Sequence, residues 1–137
     1  MSRPTPNNEE YTFTKGLIIS STDLKGIIVY TNRKFCEISG YSSEELVGKS
    51  HNLIRHPDMP KSIFKDMWDT IESKKEWTGV IKNLREDGKY YWVYSYITSI
   101  ILEGEHTGYS AARRPASATE IEESIETYAE LLQNENY

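Results

Sequence analysis

Asp87-Gly88 is the feature that most limits what this chain can fold into. It sits between "WTGVIKNLR" (77–85) and "YYWVYSYITSII" (90–101), two runs rich in β-branched and aromatic residues. An Asp-Gly pair takes the positive φ that tight hairpins need, so these runs predict adjacent antiparallel strands. "EGE" (103–105) is another tight turn, and "HTGYSAARR" (106–114) predicts a strand beside them. Upstream, "GLIISST" (16–22) and "IIVYT" (27–31) flank "DLKG" (23–26) and predict a separate hairpin.

Between the two strand groups the pattern turns helical. In "NRKFCEISG" Phe35 and Ile38 lie one turn apart and Gly40 is a natural stop. Ser42 with Glu45 has the spacing of a capping box, and Gly48 closes that segment. Residues 59–75 predict the clearest helix, with Ile63, Phe64, Met67, Trp68 and Ile71 in one apolar stripe. Asp58 suits its N-cap and Pro60 its first turn. Residues 118–133 predict an amphipathic helix seamed by Ile121, Ile125, Tyr128 and Leu132. Ser117 with Glu120, or Thr119 with Glu122, is placed to cap it.

The order is two strands, short helices, three strands and a trailing helix. It predicts an α+β fold, a five-stranded antiparallel sheet with short helices on one face and a cavity between them. Residues 1–14, with two prolines and few apolar side chains, are expected to be a flexible arm. Residues 15–115 form the domain, and 116–137 the C-terminal amphipathic helix and tail.

The length of 137 residues fits one domain. The net charge of −5 is unevenly spread, because six of the 21 acidic residues lie in 119–137 with no Lys or Arg among them. The remaining 15 face 16 basic residues, so no basic stripe supports nucleic-acid binding. No apolar run approaches the ~20 residues that span a bilayer, and no leader opens the chain. The single cysteine, Cys36, excludes an internal disulfide and fits a reducing cytoplasm.

"HNLIRHPDMP" (51–60) concentrates polar chemistry in ten positions. His51 and His56 are five apart, not the three or four that ligate a metal from one helix face, and the other candidates are only His106 and Cys36. The 59–75 helix carries no histidine to ligate a haem. Cys36 sits at a helical apolar position and reads as buried, inert sulfur. The eight glycines form no G-x-G-x-x-G loop, so any phosphate must meet side chains or a helix start, with Arg55 well placed. A solvated Arg55 is the plain alternative. The aromatic share of 12% suits either an ordinary core or the walls of a site for a flat ligand.

Together, "YTNRKFCEISGYSSEELVGKSHNLIRHPDMP", "FKDMW", "WTGVIKN", "DGKYYWV" and "GY" resemble a PAS domain, over roughly residues 17–114. The "HN-L-x-RHPDMP…F-x-DMW…W-x-G-x-x-KN" pattern is more specific and is similar to the sensory PAS domains of aerotaxis receptors. That resemblance implies the PAS sheet and non-covalent FAD in the cleft. Residue by residue it implies Asn32 at the first short helix and Arg55, His56 and Asp58 in the loop. It also implies Phe64 and Trp68 on the helix, Trp77 and Asn83 on the third strand, and Tyr109 on the last. Arg55 would pair with pyrophosphate and His56 would meet adenine or ribose. Asp58 would cap the helix. Trp68 and Trp77 would stack on rings, and Asn32 and Asn83 would meet flavin heteroatoms. Tyr96 stands where such sequences carry Asn on the fourth strand, which changes the polar contacts open to the cofactor.

The resemblance further implies a non-enzymatic redox sensor for energy taxis. The chain looks like the soluble half of a split receptor. It would be cytoplasmic, at the inner face of the membrane, and would signal to a membrane-bound methyl-accepting chemotaxis-type receptor. The seam of the tail helix offers a docking or homodimer element, or simply packs on its own sheet. A PAS interaction module without ligand is the second reading, resting on Tyr96. A small flavoprotein enzyme is the third, with no acid–base pair to support it.

Overall fold

The computed structural model describes residues 3–135. Five strands form one antiparallel sheet in the order β2-β1-β5-β4-β3. They are β1 (Ile18–Asp23), β2 (Ile28–Thr31), β3 (Trp77–Leu84), β4 (Tyr90–Leu102) and β5 (Glu105–Pro115). Both expected hairpins of the second group are present. In the β3–β4 turn Gly88 takes φ +91°, and Arg85 N donates to Lys89 O at 2.8 Å.

The register fixes two faces, because side chains alternate along a strand. Ser20, Ala111, Ile97 and Trp77 align in one row, and Ile18, Arg113, Ser95 and Gly79 in the next. This inner face is covered by α1 (Arg33–Ser39), α2 (Ser43–Leu46), a 3-10 turn (His51–Ile54) and α3 (Lys61–Glu72). Ile18, Ile28, Phe35, Leu46, Ile54, Ile71 and Val93 are all but inaccessible between the layers.

The local rules explain most helix ends. Asn32 Oδ1 accepts from Phe35 N at 3.0 Å, and Gly40 closes α1 in the left-handed region at φ +83°. Ser42 and Glu45 bond reciprocally as a capping box at the start of α2. The long helix differs from its expected 59–75 span and cap. α3 begins after Pro60, which supplies no side-chain bond, and ends at Glu72 with Lys74 at φ +63°. Asp58 does not cap it, because its carboxylate pairs with Lys82 Nζ at 3.0 Å. The cap comes instead from Glu135. Its carboxylate accepts from Lys61 N at 3.0 Å, Ser62 N at 3.1 Å and Ser62 Oγ at 2.8 Å.

Glu135 ends α4 (Ala118–Glu135), which crosses the outer face of the sheet. Ser117 and Glu120 form its capping box, at 2.8 and 3.1 Å. Tyr128 OH donates to Val80 O at 2.5 Å. Of the seam, Ile121, Tyr128 and Leu132 are half-buried while Ile125 stays 54% exposed.

The segment before β1, expected to be a flexible arm, has partners among the described residues. β4 begins three residues before β5 ends opposite Val93, which leaves Tyr90 open on that side. Glu9 O accepts from Tyr90 N at 2.9 Å and Tyr90 O from Tyr11 N at 2.7 Å. Phe13 is buried, and the Arg85 guanidinium lies 3.8 Å from the Tyr11 ring centroid.

Candidate functional site

A cavity of about 290 Å³ opens between the inner face of the sheet and α3. Its size lies at the lower end of the roughly 300–1,000 Å³ usual for ligand sites. The helical stripe supplies one wall through Phe64, Met67, Trp68 and Ile71. The sheet supplies the other through Ile81, Asn83, Ile97, Tyr109, Ala111 and Arg113. Trp68 meets Tyr109 edge to face at 5.6 Å between ring centroids. Its indole also lies against Gly26, where a Cβ would come within 3.1 Å of the ring and φ is +85°. A side chain there would push the β1–β2 turn away from the indole.

Polar groups gather at two places. At the mouth stand Lys25, Asn52 and Arg55. Arg55 is half-buried with its guanidinium 3.5 Å from the Phe64 ring centroid. Burial and the nearby Arg3 lower its pKa to about 10, so it remains a cation at neutral pH. At the inner end Arg113 donates to His51 Nε2 at 2.7 Å and to Ser20 Oγ at 3.1 Å. A guanidinium only donates, so His51 accepts through Nε2 and is neutral. Burial first, then Arg113 and Arg55, hold His51 well below the usual imidazole range. Beside them Asn83 Nδ2 and the Tyr91 hydroxyl are buried without a hydrogen-bond partner. Burial pushes the Tyr91 phenol well up, so it stays protonated. Among the described residues no Asp or Glu lines this cavity.

Of the nine residues expected to hold a cofactor, Arg55, Phe64, Trp68, Asn83 and Tyr109 come together here. The other four lie elsewhere. Asn32 spends its amide stitching β1 to α1, accepting from Ile19 N at 3.1 Å and donating to Leu17 O at 2.9 Å. His56 is buried behind the loop, where Nδ1 accepts from Asp58 N at 3.0 Å. Asp58 faces Lys82 and the outer groove under α4. Trp77 lies on the inner face beyond the cavity, its Nε1 donating to Asp66 at 3.0 Å. Gly79 is needed beside it, since a Cβ there would fall 2.5 Å from the indole. Tyr96 also corrects an expectation, because it stands on the outer face, 38% exposed, against Tyr94. It cannot alter contacts in the cavity.

Thr22, Lys25, Ser50, His51, Asn52 and Arg113 are the polar lining that sequence reasoning missed. Arg113 left a readable signal. Strand alternation from Tyr109 through Ala111 puts Arg113 on the same face as both, an inward charge in a buried strand.

The comparisons with known proteins agree with this architecture. The family model described as PAS fold matches residues 28–111. The aerotaxis receptor of Escherichia coli (strain K12) is 42% identical over 104 residues, 76% of this chain and 21% of the receptor. A nitrogen fixation regulatory protein of Klebsiella oxytoca is 32% identical over 84% of this chain and 24% of its own length. The chain therefore spans about a quarter or less of these relatives. Among solved structures, the PAS domain of a Colwellia psychrerythraea protein superposes with a TM-score of 0.67 at 29% identity, covering 73% of this chain and 86% of that one. A light-oxygen-voltage domain from work on a flavin analogue gives a TM-score of 0.66 at 22% identity, covering 88% and 85%, a likeness of fold alone. No helix among the described residues is long and apolar enough to cross a membrane.

Proposed function

The chain belongs to the PAS-fold family, and we propose that it is a sensory signalling domain and not an enzyme, a redox sensor holding FAD non-covalently in the cavity between α3 and the sheet. One observation carries this reading. The slot has flat apolar and aromatic walls, gathers Lys25, Arg55 and Arg113, and among the described residues has no carboxylate in its lining. A dinucleotide has the matching chemistry, a flat ring and a doubly negative diphosphate.

The flavin would supply reversible electron acceptance. The protein does the rest. Trp68 and Phe64 exclude water from the ring. The unpartnered Asn83 Nδ2 offers it a hydrogen bond at the inner end. Arg55 and Lys25 hold the phosphates at the mouth, where the rest of the dinucleotide would leave a cavity sized for the ring. A change of ring charge would favour one arrangement of these walls over another. The partner that reads it is a membrane-bound methyl-accepting chemotaxis-type receptor. The sensor works at the cytoplasmic face of the membrane through that partner, with homodimerisation through α4 as part of the assembly. The kinship with the aerotaxis receptor supports this signalling context.

Purified protein is expected to be yellow, to show a flavin spectrum and to release FAD on heating. Arg55→Met and Trp68→Ala should each weaken FAD binding at least tenfold, read by flavin fluorescence titration. A colourless protein that takes up no added FAD, or variants that bind it unchanged, would refute the reading.

A further inference from the structure

Arg113 is 4% exposed, and its side chain bonds only neutral groups, His51 Nε2 and Ser20 Oγ. The Phe35 ring, 5.5 Å from the guanidinium carbon, adds a weak π contact and no charge. Among the described residues no acidic side chain is paired with Arg113. A buried cation normally demands a partner of opposite sign. Arg113 faces a cavity instead, with the buried, unpartnered Asn83 Nδ2 in the same lining and the unpartnered Ser95 Oγ opposite it on β4. Asn83 Nδ2 and the Arg113 guanidinium are donors, so what they await is an acceptor or a negative charge.

We propose that Arg113 is the recognition group of the inner cavity, a buried cation kept without a carboxylate so that the bound ring completes the pair. His51 and Ser20 are its positioning residues, neutral acceptors that aim the guanidinium without cancelling it. The ligand class follows: a flat heterocycle whose buried edge carries acceptors and gains negative charge. On the FAD reading, on which this part rests, uptake of two electrons and one proton leaves the ring one charge more negative. Arg113 then binds the reduced ring more tightly than the oxidised one and raises the reduction potential of the site.

Three chains decide the matter: wild type, Arg113→Met, which removes the charge at similar volume, and Arg113→Lys, which keeps it. FAD-loaded protein is titrated with dithionite against a reference dye. Loss of the charge should lower the preference for reduced over oxidised flavin at least tenfold, about 30 mV for a two-electron couple, with Arg113→Lys recovering most of it. An Arg113→Met potential equal to that of wild type overturns the proposal. Thermal unfolding of the flavin-free chains gives an independent reading. An unpaired cation should leave Arg113→Met melting at or above wild type. An Arg113→Met chain that melts several degrees lower, or does not fold, makes Arg113 a structural strut and overturns the proposal. If no chain takes up FAD, the cofactor reading fails while the melting comparison still decides whether the cation is uncompensated.

Discussion

Arg113 and Arg114 are neighbours in the chain and opposites in environment. Arg114 points to the outer face, where its guanidinium forms two bonds to Glu120 at 2.8 and 2.9 Å and lies over the Tyr94 ring. Arg113 points inward and, among the described residues, has no carboxylate partner. The first cation ties down the start of α4 and is finished as a structural element. The second is left open beside a cavity. One strand thus serves two layers, and the distribution of counter-charge separates the face that packs α4 from the face that lines the cavity.

The contrast between faces should break hardest in the core. Phe35→Ala, which empties a fully buried site between α1 and the sheet, should cost about 3–5 kcal/mol in denaturant unfolding. Tyr96→Asn on the outer face should stay within about 0.5 kcal/mol and leave cofactor content unchanged. A loss of flavin in Tyr96→Asn would contradict the assignment of that side chain to the outer face.

Acid should act next, and through the inner side. His51 and His56 are both held below the ordinary imidazole pKa of 6.5, by burial first and then by Arg113 or Lys82 respectively, with Asp58 partly opposing at His56. Below pH 6.5 the unfolded chain therefore binds more protons than the folded one. Stability is fully present above that pH and falls as the solution is acidified, by at most about 1.4 kcal/mol per pH unit for each group. Chemical unfolding at pH 7 and pH 5.5 measures the loss, and His51→Gln should flatten it.

The outer anchor should respond less than the core. Glu120 is half of a capping box and the partner of Arg114, and these contacts hold its carboxyl down at about 2. Glu120→Ala should cost about 1 kcal/mol and speed amide exchange along the first turn of α4. Cavity occupancy should not change.

Local rules carried much of the fold into view from sequence. The Asp87-Gly88 turn, the Ser42–Glu45 box and the α3 stripe each depend on residues a few positions apart, and each forms as expected. What escaped depends on distance in the chain. Asp58 has the right chemistry for a cap, but Lys82, 24 positions away, competes for its carboxylate. The cap that does form comes from Glu135, 74 positions away from Lys61. The inward face of β4 was hidden for another reason. Tyrosines occupy both parities of that strand, Tyr91 inside and Tyr94 and Tyr96 outside, so alternation alone assigned neither side. Of the five lining residues found in advance, Phe64, Trp68, Asn83 and Tyr109 stood on elements that patterning located well, and Arg55 stood in the loop. His56 and Asp58 lie outside the lining because a loop turns its side chains by its own hydrogen bonds, which no periodicity encodes.

The grip of Glu135 on the first turn of α3 has a mechanical meaning. It links the last described turn of the chain to the helix that walls the cavity, around the edge of the sheet. Whatever tilts that helix tugs on the tail, and whatever captures the tail tugs on the helix. Such a linkage acts with equal strength in both directions, so a tail held by a partner would report on the cavity and also retune it.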